Sequence, residues 1–206
     1  MKILGGIGYI LSLIPIANFV APILIGIAWF QAGSRSGQTI FRATGVLFIV
    51  TYLAALGLVA FLFGTIFSVI FTLPFAGDSL LTEQLLSNLL LNVSGFVTGF
   101  IFLALVVGVL GLTTIVLELV SHFRAADVFR SAWFRRAGWL RIITIILIVV
   151  FVVGLVVLGL TSPLTLMVMG EEFLGGAMLL FALPLIIVGL LSSIFSAVAF
   201  FTAESL

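Results

Sequence analysis

Long, continuous runs of apolar residues make up most of this chain, and short polar stretches separate them. Five runs stand out: Ile3–Phe30, Ala43–Leu73, Leu89–Val120, Ile142–Thr161 and Phe173–Thr202. A helix rises about 1.5 Å per residue, so about 20 residues cross a hydrocarbon core ~30 Å thick. The runs are continuously apolar rather than alternating, which indicates helices and not a β-barrel. The pattern predicts an all-α, polytopic bundle of five spans, forming one integral membrane domain over residues 1–206.

Composition excludes several classes of function. Hydrophobic residues are 64% of the chain and charged residues only 7%, whereas soluble domains are about 25% charged. The net charge of +1 argues against a nucleic-acid partner. Without cysteine, and with a single histidine, the chain alone cannot hold an iron–sulfur cluster, a bis-histidine haem or a three-ligand zinc. No catalytic motif is present, so we expect no cofactor, no metal and no enzymatic activity.

Charges in the connecting loops predict the threading. The loop Gln31–Arg42 holds two arginines and no acid, and the stretch Ser121–Arg141 holds five arginines and one aspartate. The loops Pro74–Asn88 and Ser162–Glu172 each hold two acids and no base. Basic loops remain on the cytoplasmic side of a membrane. We therefore expect a multi-pass plasma-membrane protein whose basic loops and C-terminus are cytoplasmic.

The first apolar run is interrupted by polar and helix-breaking residues. Pro15 and Pro22 bracket Asn18 within an otherwise apolar stretch. Proline removes a backbone donor and frees carbonyls, and the amide of Asn18 is a candidate partner for them. Two other roles stay open for Asn18: the unwound binding site of a transporter, or a contact with a partner helix. The run is either one kinked span with the N-terminus outside, or a re-entrant hairpin with arms of about 18 Å.

A weak internal repeat appears when the chain is shifted by 93 positions. The shift aligns identical residues without a gap, among them Phe30 with Phe123, Ala32 with Ala125, Phe41 with Phe134, Arg42 with Arg135, Gly45 with Gly138, Leu47 with Leu140, Ile49 with Ile142, and Thr51 with Thr144. A fainter echo relates Gly5–Pro15 to Gly175–Pro184. If the first run is a relative of the third and fifth, it crosses the membrane in their direction. The repeat thus favours a single first span with the N-terminus outside.

Two further features are candidates for a site. Glu118 and His122 stand four residues apart, on one face of a helix, a spacing that suits a metal pair or a proton relay. Because they lie near the end of the third span, we expect a solvated or ion-paired role at the interface instead.

Glycines such as Gly95 and Gly99 are expected to pack the protein's own helices together. The sequon that begins at Asn92 lies close to the predicted outer surface.

The stretch 121–141 has an amphipathic pattern. An apolar stripe contains Ala126, Phe129, Trp133, Ala137 and Leu140, and polar residues lie opposite. The pattern predicts an interfacial helix over residues 123–140 that contacts anionic headgroups or another subunit. The candidate interface residues are Arg124, Arg130, Trp133, Arg135, Arg136 and Trp139.

The chain resembles a family of small archaeal multi-spanning membrane proteins catalogued only as a domain of unknown function. The segments that carry the resemblance are KILGGIGYILSLIP near the start, GIAWF after it, and FRATG and FRRAG before later spans. The resemblance implies an archaeal plasma membrane. It implies no catalytic residues.

Two functional hypotheses follow from these patterns. The first is a non-catalytic subunit or scaffold of a larger membrane complex, for example a respiratory one, that binds lipids and other integral membrane subunits. The second is a small transporter or channel that uses the broken first span.

Overall fold

The protein is helical throughout the part that its computed structural model describes. That part comprises the backbone of residues 1–72 and 83–203, with the side chains of 1–67, 93–154, 156–157 and 182–203. Its elements are α1 (Lys2–Leu11), a 3₁₀ turn (Ala17–Phe19), α2 (Ala21–Ser36), α3 (Thr39–Thr72), α4 (Glu83–Val128) and α5 (Ala132–Thr202). Most of the acidic loop 74–88 and the side chain of Asn92 lie outside the described residues.

Among the described residues, five helical segments are long and apolar enough to cross a membrane: Ala17–Ser36, Thr39–Phe67, Val93–Val128, Ala132–Gly154 and Ala182–Thr202. The all-α, polytopic class with five candidate spans is therefore confirmed. The contacts divide the chain into two compact units, which are described separately. The first unit joins Met1–Val46 to Val116–Leu206, and the second is Leu47–Ile115.

The first apolar run is a helical hairpin and not one kinked span. With 10 residues, α1 rises only about 15 Å. It folds back on α2, where a Cβ at Gly8 would lie 2.9 Å from the side chain of Ile25. Partial burial and then Arg35 lower the pKa of the Met1 amino group, so the N-terminus lies at the Arg35 end of α2. The expected single kinked span is therefore wrong, and the hairpin brings the N-terminus to the end of α2 that leads into the basic loop.

The hairpin forms because its turn cannot continue a helix while α1 can pack closely. Pro15 and Pro22 flank the 3₁₀ turn Ala17–Phe19. A Cβ at Gly5 would overlap the ring of Phe200, and one at Gly6 would overlap the ring of Phe201. The small residues of α1 thus bring its backbone against the end of α5.

The internal repeat is visible in the first unit. The α2–α3 turn contains Gly37 at φ 68°, and the α4–α5 turn contains Arg130 at φ 48°. The two residues are 93 positions apart, which is the offset seen in the sequence. The rings of Phe41 and Phe129 lie beside these turns with centroids 6.0 Å apart, so both turns lie at the same end. The two helical hairpins are therefore related in parallel and are not inverted.

Equivalent residues of the two hairpins have equivalent surroundings. A Cβ at Gly45 would overlap the backbone of α2 at Gly26, and a Cβ at Gly138 would lie 3.1 Å from the ring of Phe123 on α4. Small residues at these positions let each pair of helices approach closely. Two further matched pairs are completely buried, Ala32 with Ala125 and Phe41 with Phe134, whereas the matched Arg42 and Arg135 are both exposed.

The stretch 121–141 contains the end of α4, a tight turn and the start of α5, so the predicted single helix over 123–140 is wrong. α4 ends at Val128, Arg130 takes a left-handed conformation, and α5 begins at Ala132. The predicted faces nevertheless separate as the pattern indicated. Ala126, Phe129 and Ala137 are buried, whereas the four candidate arginines are exposed. The chain reverses here because Arg130 interrupts the helix that the amphipathic pattern assumed to be continuous.

The two apolar ends of α5 lie against each other. A straight helix of 71 residues would be about 107 Å long, yet the rings of Trp133 and Phe195 have centroids 5.3 Å apart. The chain therefore reverses direction between Trp133 and Phe195. The predicted loop Ser162–Glu172 lies within the range of α5. The acids Glu171 and Glu172 lie outside the described side chains.

In the second unit, α3 and α4 touch through a few polar and aromatic contacts. The hydroxyls of Thr51 and Thr114 are 2.7 Å apart, and the rings of Phe61 and Phe96 are stacked with centroids 5.6 Å apart. Phe61 also packs against Gly99, where a Cβ would lie 3.1 Å from the ring. At the other described glycines of this unit, a Cβ would meet nothing within 4 Å: Gly57, Gly64, Gly95, Gly108 and Gly111. Among the described glycines of this unit, the expected packing within the chain therefore holds for Gly99 alone.

Candidate functional site: a buried polar cluster

Polar side chains from four helices meet inside the first unit and form what we call the core cluster. α1 contributes Tyr9, α2 contributes Trp29, α4 contributes Glu118 and His122, and α5 contributes Arg141 and Ser196. All except Arg141 are nearly or fully buried, and the side chain of Arg141 is 21% exposed. Glu118 and His122 share a helix face through their four-residue spacing, as the sequence indicated.

The Glu118 carboxylate is the centre of the core cluster. One of its oxygens accepts a hydrogen bond from the Tyr9 hydroxyl at 2.5 Å. The same oxygen forms an ion pair with the guanidinium of Arg141 at 2.7 Å. The indole of Trp29 in turn donates to the Tyr9 oxygen at 3.0 Å. The chain of donors thus runs from Trp29 through Tyr9 to the carboxylate. Arg141 balances the negative charge and also lies 5.3 Å from the centre of the Tyr9 ring.

His122 has a hydrogen-bond partner on each ring nitrogen. Nδ1 lies 2.8 Å from the backbone carbonyl of Glu118, which can only accept, so Nδ1 carries a proton. Nε2 lies 3.0 Å from the hydroxyl of Ser196, which is also 2.8 Å from the carbonyl of Ser192. A neutral ring accepts from Ser196, whereas a protonated ring would donate to Ser196 and leave its hydroxyl to bond Ser192. The ring is therefore satisfied in either protonation state.

A hydroxyl pair beside the core cluster joins α3 to α4. The oxygens of Thr44 and Ser121 are 2.8 Å apart and both residues are completely buried. Thr44 also reaches the carbonyls of Ile40 at 2.9 Å and Leu117 at 3.3 Å. Buried hydroxyls need such partners, because an unpaired one costs about 1–3 kcal/mol.

Two buried polar atoms near the core cluster have no partner within the described part of the chain. They are Nε of Arg141 and the hydroxyl of Ser192. Ser192 lies one helical turn before Ser196, whose hydroxyl is 3.5 Å from the Arg141 guanidinium. Both unpaired atoms therefore lie on α5, and each belongs to a residue that also contacts Ser196.

The structure places the predicted site residues in three environments. Glu118 and His122 are buried in the core cluster, and Glu118 is ion-paired inside the protein instead of at the solvated interface. Asn18 is exposed in the hairpin turn, where its backbone N–H, and not its side chain, bonds the carbonyl of Ile14 at 2.8 Å. The arginines and tryptophans of the basic stretch lie at the α4–α5 turn.

At that turn, several candidates have partners of their own. Arg135 forms a 2.9 Å ion pair with Asp127, and both side chains are more than half exposed. The guanidinium of Arg136 lies 4.8 Å from the centre of the half-buried Trp133 ring. Trp139 is 58% exposed. Exposed ion pairs of this kind contribute only about 0–1 kcal/mol to the stability of the fold. The side chains at this turn therefore remain free to bind other groups.

Sequence reasoning did not single out Tyr9, Trp29 or Ser196. No three His, Cys, Asp or Glu side chains come together among the residues with described placement. No family model, curated protein or solved structure matches this chain. The resemblance to the archaeal family therefore stays a prediction.

Proposed function

We propose that this protein is a non-catalytic subunit or scaffold of a larger membrane protein complex, where it binds neighbouring helices and lipid. The observation that carries the proposal is the open surface of α3 and α4. Within the most apolar 18 residues of Thr39–Phe67, no residue is buried by the rest of the chain. In the corresponding 18 residues of Ala17–Ser36, 39% are buried. Small residues on such faces let another helix approach closely.

The core cluster supports a structural role for the charged residues of the first unit. Glu118 and Arg141 neutralise each other, and Tyr9 and Trp29 complete the hydrogen bonds. Charged groups within membrane helices are costly and are retained when they are paired or used. Here the pairing joins α1, α4 and α5, which would present a fixed set of helices to a partner.

The proposed location is the plasma membrane, with the basic turns at Gly37 and Arg130 on the cytoplasmic side. The N-terminus is then cytoplasmic as well, because α1 folds back on α2 and begins near the basic end of that helix. An archaeal origin of that membrane is proposed from the resemblance alone.

Purification of the tagged protein from its own membranes in a mild detergent tests the proposal. Native mass spectrometry should find the chain in a fixed stoichiometry with other integral membrane proteins. A monomer or homo-oligomer as the sole species, together with solute flux in proteoliposomes, would overturn the subunit role.

A small transporter or channel is the second candidate, and one observation favours it. The parallel hairpins surround buried ionisable groups, and His122 is satisfied in two protonation states. A proton-coupled transporter needs a group of this kind. Proton flux in proteoliposomes that is lost in Glu118→Gln, while the variant stays folded, would favour this function.

A further inference from the structure

Arg130 occupies a backbone conformation that does not suit an arginine. Among the described residues it is the one non-glycine residue with positive φ, at 48°. A left-handed conformation brings the Cβ of an L-residue close to the following carbonyl oxygen. The first repeat avoids this cost, because its equivalent residue is Gly37, at φ 68°. The second repeat therefore retains a side chain at a position where glycine would fold more easily.

The side chain of Arg130 has no ion-pair partner among the side chains that the structure describes. Arg130 is exposed, and neither it nor Arg124 has an ion-pair partner among the residues whose side chains are described. The turn's acid, Asp127, is already bound to Arg135. The turn thus presents two unneutralised guanidinium groups. A guanidinium offers a planar fork of donors that matches the oxygens of a phosphate.

The position of the turn indicates where that phosphate comes from. Arg130 joins the candidate spans Val93–Val128 and Ala132–Gly154, so it lies where both helices leave the hydrocarbon. The exposed ring of Trp139 is nearby in sequence, and tryptophan is enriched at the level of the headgroups. Anionic lipids attract basic side chains at this level.

We propose that Arg130, together with Arg124, binds the phosphate of an anionic lipid headgroup at the α4–α5 turn. The inference deepens the lipid-binding part of the proposed function. It is tested on the isolated chain, so failure to find a partner subunit would not affect it.

The test compares lipid retention by the full chain and its Arg130→Gly variant in micelles that mix phosphatidylglycerol with phosphatidylcholine. Glycine suits the backbone better, so the variant should fold at least as well as the wild type, as a thermal unfolding midpoint would show. Native mass spectrometry should find that its preference for phosphatidylglycerol falls about fivefold, which corresponds to about 1 kcal/mol per basic residue near an anionic surface.

Arg35→Gln is the matched control, because Arg35 is an exposed arginine at the end of α2 beside the equivalent turn. Arg35→Gln should change the preference for phosphatidylglycerol far less than Arg130→Gly does. Arg130→Lys should keep part of that preference. Three results would overturn the proposal: an unchanged preference in Arg130→Gly, an equal loss in Arg35→Gln, or saturation of the site by inorganic phosphate without lipid. Capture of an acidic protein segment by Arg130 in place of lipid would also overturn it.

Discussion

At the scale of single residues, the Glu118 carboxylate is the most demanding group in the first unit. Burial of a charge costs several kcal/mol, and a nearby opposite charge repays this only when hydrogen bonds complete the site. The Arg141 contact at 2.7 Å and the Tyr9 hydrogen bond at 2.5 Å meet that requirement. Each of the three residues therefore depends on the other two.

Tyr9→Phe removes one hydroxyl and little volume. In this variant the Glu118 carboxylate loses a donor and the Trp29 indole loses its acceptor. We therefore expect the free energy of unfolding to fall by about 1.5–3 kcal/mol, the range for hydrogen bonds to charged groups. The unfolding midpoint of the purified chain in detergent measures it. Tyr52→Phe is the control, since Tyr52 is only half-buried and belongs to the second unit. Equal midpoints for the two variants would contradict the role assigned to Tyr9.

A double-mutant cycle tests the ion pair itself. Glu118→Gln or Arg141→Met alone leaves an uncompensated buried charge and should destabilise the chain by about 3–5 kcal/mol. The double variant removes both charges, so it should lose less stability than the two single variants lose in sum. The difference, which is the coupling energy, should be about 0.5–3 kcal/mol. Chemical unfolding in detergent provides all four free energies. Additive losses would show that the two side chains act independently.

The sequence pointed to Glu118 and His122 but not to their partners. The Glu118–Arg141 pair follows only from the position of the turn, because Glu118 stands 12 residues before Arg130 and Arg141 stands 11 after it. Residues equally distant from a helical turn lie side by side in an antiparallel pair. Tyr9 gave no signal, because it reaches Glu118 from a separate helix 109 positions away in sequence.

At the scale of elements, the repeat was the most informative part of the sequence. The 93-residue offset seen in the sequence also relates features that only the structure shows, which are the close approaches at Gly45 and Gly138 and the turns at Gly37 and Arg130. The periodicity of 123–140 failed because a single left-handed residue ends a helix without changing the pattern of apolar positions. The fainter echo between Gly5–Pro15 and Gly175–Pro184 favoured a single first span, which the hairpin of α1 and α2 replaces.

Site-directed labelling tests this hairpin in a membrane. The chain has no cysteine, so Lys2→Cys and Ser34→Cys each introduce a single reactive thiol. Both residues lie at the same end of the hairpin, so a membrane-impermeant maleimide should reach both from the same side of a sealed vesicle. Labelling from opposite sides would restore a first span that crosses the membrane once.

At the scale of the whole molecule, the two units differ in how much they bury. The first unit contains most of the fully buried side chains, including Trp29, Phe41, Phe134 and Phe200. In the second unit, the helices expose large apolar residues and glycines. Lipid can cover exposed leucine or valine as well as another helix can, so apolarity alone does not identify a partner. Glycine is different, since its advantage appears when another backbone comes close.

The glycines of α4 therefore separate packing within the chain from packing against a partner. Gly99→Leu places a side chain against the ring of Phe61, 3.1 Å from the new Cβ, and should lower the unfolding midpoint of the isolated chain. Gly95→Leu, one turn earlier, and Gly111→Leu meet nothing within 4 Å and should leave that midpoint unchanged. If α4 packs against another subunit, these two variants should instead lose the partner during native purification. Full retention of every partner in both variants would show that α4 contacts lipid at Gly95 and at Gly111, and the subunit proposal would then lose the observation that carries it.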